Sequence, residues 1–102
     1  MVHVIALIEA KPGMRAQILQ AFRANMPAVH AEQGCIEYQP VVDASGAPGF
    51  ATELGENSFI VVEKWQSMDA LKAHAAAPHM ASYAAAVKDM IASRAVHVLE
   101  NA

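Results

Sequence analysis

The chain has 102 residues, the size of one domain, and 55% of them are apolar, enough to build a core. Seven basic and ten acidic side chains give a net charge of −3 with no basic cluster or stripe, which argues against nucleic acid and anionic membrane as partners. The single cysteine, Cys35, excludes an intrachain disulfide and fits a reducing compartment.

Val2 to Ala10, "VHVIALIEA", is rich in Val, Ile and Leu and reads as a strand. It is too short for a membrane span, is interrupted by His3 and Glu9, and lacks a basic leader, so a soluble cytoplasmic protein is expected. Lys11-Pro12-Gly13 ends it. Met14, Ile18, Phe22, Met26 and Val29 then recur at three- and four-residue steps, the spacing of an amphipathic helix. Pro27 is expected to kink this helix or end its regular part, and Gly34 is a plausible stop.

Cys35 to Val42 reads as a second strand, with Pro40 marking an edge or a bulge. Asp43 to Asn57 holds three Gly and a Pro and reads as a loop. Ser58 to Trp65, "SFIVVEKW", is the clearest strand. Ser67 is a good N-cap for a helix from Met68, with Asp69 in its first turn. Pro78 suits the first position of a further helical segment, striped by Met80, Tyr83, Val87 and Met90. Ala95 to Leu99 is a last strand.

The order β-α-β-β-α-β, with the second helix broken near Pro78, is that of an α+β ferredoxin-like split βαβ fold in one domain over residues 1–102. Val2, Val4, Ala6 and Ile8 share one face of the first strand, and Ile5 and Leu7 the other. In the third strand, Phe59, Val61 and Trp65 oppose Ile60 and Val62. Both faces are mostly apolar, yet two helices cover only one. A second copy of the sheet is expected on the other, in a homodimer.

"EAKPGMRAQIL", "EQGCIEY", "VVEKW" and "ALKAHAAAPHM", in this order and spacing, resemble the antibiotic biosynthesis monooxygenase (ABM) domain family over nearly the whole chain. The resemblance implies a dimeric α/β barrel with a pocket between sheet and helices in each subunit. It also implies oxidation of aromatic phenols and quinols by O2 without metal, flavin or haem. A related haem-degrading branch carries an Asn in strand one, a Trp ending strand three and a His late in the last helix. Trp65 matches that Trp, but Ala6 stands at the Asn position and the His position falls near Ala84, so haem degradation is not expected.

His74 and His79 lie five residues apart, which is about 140° around a helix and unsuited to a shared metal; no third ligand is spaced to join them. His74 reads either as a core-edge histidine or as a base lining the pocket. With Leu71 and Ala75 taken as core-facing, it falls at the pocket's rim. Glu63 shares a strand face with Phe59, Val61 and Trp65. It is either a structural hydrogen-bond partner or a buried carboxyl of raised pKa that acts as a second base or orients His74.

Trp65 reads as core anchor or pocket wall, and Tyr38 and Tyr83 as core-edge residues or phenol-binding donors. His79 and Phe59 complete the candidate substrate contacts. No GxGxxG, P-loop or CxxC is present, so no cofactor and no metal are expected.

The resulting expectation is a cofactor-independent monooxygenase that oxidises a hydroquinone or polycyclic phenol with O2 to a quinone. Its partners would be a small aromatic substrate, O2 and a second copy. The catalytic residues would be His74 and Glu63. A non-catalytic dimeric small-ligand-binding protein and an isomerase on the same scaffold are the alternatives.

Overall fold

The computed structural model describes residues 1–102. Its elements are β1 (Val2–Ala10), α1 (Arg15–His30), β2 (Cys35–Val41), β3 (Ser58–Trp65), α2 (Met68–Ala75), α3 (Pro78–Val87), a 3-10 turn over Lys88–Met90, and β4 (Ile91–Leu99). The sheet order is β2-β3-β1-β4, and every neighbouring pair is antiparallel. This is the ferredoxin-like α+β fold, with its second helix divided in two.

The two-residue period of the strands decides what meets the helices. Val2, Val4, Ala6, Ile8 and Ala10 of β1 are buried, as are Phe59, Val61, Glu63 and Trp65 of β3 and Tyr38 of β2. Ile18, Leu19, Phe22 and Val29 of α1 close over them. Phe22 is the hub: its ring stacks on Tyr38 at 5.0 Å and meets Phe59 and Tyr83 edge-on at 6.2 and 5.8 Å. Burial of a side chain of this class is worth about 1.5–3 kcal/mol.

Three elements differ from expectation. Pro27 does not end α1, which runs on to His30. Its side chain is exposed, so water can satisfy the carbonyl whose donor the proline removes. Gly34 is not the stop of α1; its positive φ of 84° opens β2 instead. β4 begins at Ile91, four residues before Ala95, because pairing with β1 overrides the weak strand signal of Ile91–Arg94. Pro40 does lie on an edge strand, and a register shift between Cys35 and Glu37 marks a bulge there.

The helices do not cover the sheet evenly. Val96 and Val98 of β4 face the helix side, opposite Ala6 and Val4, yet remain 44% and 48% exposed. The space above them is the cavity described below.

Two glycines with left-handed φ separate backbone strain from steric strain. Gly13, at φ 79°, has open space around the position of a Cβ. At Gly34 a Cβ would lie 2.7 Å from the Ala70 Cβ, beneath α2. Gly13→Ala is expected to cost about 1–2 kcal/mol from its backbone conformation alone. Gly34→Ala is expected to cost about 2–5 kcal/mol, because overpacking adds to the same backbone cost. Paired denaturant titrations check the order; equal losses would contradict it.

Candidate active site

Ser67 starts α2: its hydroxyl accepts the Ala70 N–H at 3.1 Å. With only Gln66 and Ser67 between β3 and α2, the helix folds back over the end of that strand. His74 is thereby carried down onto Glu63 and Trp65 and is 5% exposed, not at the rim. Ala75, the next residue, is exposed and lines the cavity described below. The His74 ring lies 4.6 Å from that of Trp65 and 5.3 Å from that of Tyr38, centroid to centroid.

The polar contacts form a chain. Trp65 Nε1–H donates to Glu63 Oε1 at 2.9 Å, and that oxygen lies 4.0 Å from His74 Nε2. On the other side of the ring, His74 Nδ1–H donates to the carboxylate of Glu32 at 3.0 Å. The same carboxylate accepts from His79 Nε2 at 2.8 Å. With Nδ1–H committed to Glu32, neutral His74 keeps its basic lone pair on Nε2, toward Glu63.

A cavity of about 690 Å³ lies between the sheet and α2 and α3. His74, Glu63, Tyr38 and Tyr83 line it, with Phe22, Met80 and the small side chains of Ala6 and Ala84 among the apolar walls. Burial pushes the Glu63 carboxyl upward, only partly offset by the Trp65 hydrogen bond and by the charges of His74 and Arg94. Burial likewise pushes the Tyr83 hydroxyl up to about 12 and that of Tyr38 still further upward. Both phenols stay protonated and can donate hydrogen bonds.

Four of the seven candidate residues thus meet on the cavity surface. Trp65 does not line the cavity: it is fully buried behind Glu63 and bonds to it. Phe59 is also fully buried, under Phe22, and His79 sits outside the lining, on Glu32. The geometry therefore gives these three supporting positions instead of substrate contacts. Glu32 was missed. It falls inside the "EQGCIEY" stretch, but no local spacing links it to a histidine 42 residues later. No group of three or more His, Cys, Asp or Glu is placed to hold a metal ion.

Residues 1–86 match the antibiotic biosynthesis monooxygenase family. Among curated proteins, the chain is 34% identical to one from Escherichia coli K12 named "Probable quinol monooxygenase YgiN", covering 98% of this chain and 97% of that one. Among solved structures, Rv0793 from Mycobacterium tuberculosis superposes with a TM-score of 0.80 at 27% identity, over 99% of this chain and 94% of that one. A protein from Deinococcus radiodurans shares the fold with a TM-score of 0.82 at 21% identity, over 100% and 93%.

The raised Glu63 carboxyl has a signature in stability. Above the ordinary value of 4.5, the folded state keeps a proton that the unfolded chain has lost. Folded protein then binds more protons than unfolded, so this group's contribution to stability falls as pH rises through the window from 4.5 to its raised value. Glu63→Gln should flatten that part of the profile. Melting temperatures of both proteins between acid and neutral pH check it; identical slopes would show that Glu63 titrates normally.

Proposed function

The chain belongs to the antibiotic biosynthesis monooxygenase family, and from that premise we propose that its cavity oxidises a hydroquinone or polycyclic phenol with O2 to a quinone. The observation that carries the reading is His74, which lines a mostly apolar cavity with its Nδ1–H held by Glu32 and its Nε2 left toward Glu63. The name of the Escherichia coli relative points to the same chemistry.

The proposed reaction needs one base and a dry, apolar space. His74 Nε2 takes the phenolic proton, and Glu32 stabilises the imidazolium that results. The electron-rich phenolate gives one electron to O2, and the radical pair joins to form a peroxide at a ring carbon that bears hydrogen. A base removes that hydrogen as a proton, the O–O bond breaks, and the ring carbon becomes a carbonyl. The departing hydroxide takes a proton and leaves as water. One oxygen atom enters the product and the other becomes water, so the substrate supplies all the electrons. Tyr38 and Tyr83 are placed to donate to the developing oxyanions. Glu63, whose carboxyl burial pushes upward, lies 4.0 Å from His74, within reach for exchanging a proton with it.

Oxygen uptake with 1,4-naphthohydroquinone, measured against autoxidation, tests the reading. His74→Ala is expected to lower kcat by about 10²-fold or more with the fold intact, the usual scale for a general base. Product formed equally well without O2 would point to an isomerase, and uptake no faster than autoxidation to a ligand-binding module.

We also propose that the free face of the sheet pairs with a second copy. Ile5, Ile60 and Val62 are only half-covered there, and Leu7 and Leu99 are 39% and 46% exposed. His3 and His97 lie on this face as well. Sedimentation at micromolar concentration should give a dimer, and Leu7→Glu should shift it toward monomer. A wild-type monomer would rule out this arrangement.

A further inference from the structure

The charges on the cavity wall run against those of the chain. The protein carries a net charge of −3, yet three of its seven basic side chains, Lys72, Lys88 and Arg94, line this one space. Glu63 is the only acidic side chain among the lining residues, and burial drives it toward its neutral form. None of the three cations is in an ion pair. A cleft with low-dielectric walls and charges of one sign concentrates ligands of the opposite sign.

The sheet register locates Arg94. It pairs with Ile8 of β1, whereas Glu63 pairs with Val4 on the other side of that strand. Val98 also faces Val4, so Arg94 lies four residues along β4 from the level of Glu63, and two strands across. At about 3.3 Å per residue and about 4.8 Å per strand, the two backbones are about 16 Å apart. The Glu32–His74–Glu63 chain and Arg94 thus rise from different levels of the sheet, and the long Arg94 side chain still brings its charge close enough to act on Glu63.

We propose that the cavity selects aromatic ligands that carry a carboxylate on a ring position remote from the phenolic hydroxyl, and that Arg94 is the residue that pairs with this carboxylate. The guanidinium is suited to it, because its planar fork meets a carboxylate through two parallel N–H···O bonds. Lys88, on the turn that leads into β4, adds charge on the same side. The placement of the hydroxyl at His74 rests on the function proposed above; the pairing at Arg94 does not require turnover.

Binding without turnover tests it. Isothermal titration under anaerobic conditions compares 6-hydroxy-2-naphthoate, whose hydroxyl and carboxylate lie at opposite ends, with 2-naphthol, which lacks the carboxylate. The acid is expected to bind at least tenfold more tightly, the scale of a charge-assisted hydrogen bond, with an advantage that shrinks as salt is added. Arg94→Gln should remove the advantage, and Arg94→Lys should restore part of it. Arg23→Gln, which removes an exposed charge from α1 outside the cavity, should leave it in place. Circular dichroism confirms that each variant is folded. Equal affinities in the wild type, no binding of either ligand, or an Arg94→Gln variant that weakens both alike would overturn the proposal. An equal gain for 3-hydroxy-2-naphthoate, whose two groups are adjacent, would overturn the remote placement. Failure of oxygen uptake with the hydroquinone leaves each of these readings intact, so the two proposals fall separately.

Discussion

A single carboxylate, that of Glu32, holds the two short helices of the second half against the rest of the fold. It sits in the connection between α1 and β2 and accepts from His74 of α2 and His79 of α3 at once. These helices have 8 and 10 residues, below the length of about 12–15 at which isolated helices become even marginal. Neither has much of an apolar anchor: α2 fully buries only His74, and α3 only Val87. The polar bridge supplies part of what a hydrophobic stripe would otherwise provide. Gly34 lets it form, since any side chain at that position would push α2 away.

The same bridge makes the two carboxylates around His74 unlike. Glu32 is satisfied by two imidazole N–H groups, whereas Glu63 receives one indole N–H and is otherwise buried on the wall of a mostly apolar cavity. An acid in the second setting retains its proton more strongly. Two carboxyl groups whose surroundings differ in this way can serve as orienting anion and as proton source, with the imidazole between them. Trp65 belongs to this arrangement without touching the cavity. Its bond fixes the Glu63 rotamer, and its ring packs beside His74.

How much of this the sequence carries depends on how local the cause is. The β3 alternation, the Ser67 cap and the Pro78 helix start are set by a few adjacent residues, and each is found where the pattern puts it. The convergence of Glu63 and His74 follows from the short turn between β3 and α2, so it too is legible. Ile91–Arg94 becomes strand only through pairing with β1, a partner some 80 residues away in the chain. Glu32 belongs to the same class, because its role exists only once α2 and α3 have folded over the α1–β2 connection. Arg94 gains its place from the β4 register, which the sequence pattern left open.

The identity of two small residues completes the logic of the cavity. The resemblance read from the sequence puts Ala6 at the position where a haem-degrading branch has its Asn, and the position of that branch's His near Ala84. Both alanines line the cavity here. Their methyl groups put no polar atom on this part of the wall, against β1 and α3. Beside this wall stand His74, whose Nδ1 is already engaged by Glu32, and Glu63, whose carboxyl burial pushes upward. What the pair supplies is one basic nitrogen 4.0 Å from a carboxyl that burial pushes upward, in a largely apolar space, a composition suited to moving protons on a bound ligand.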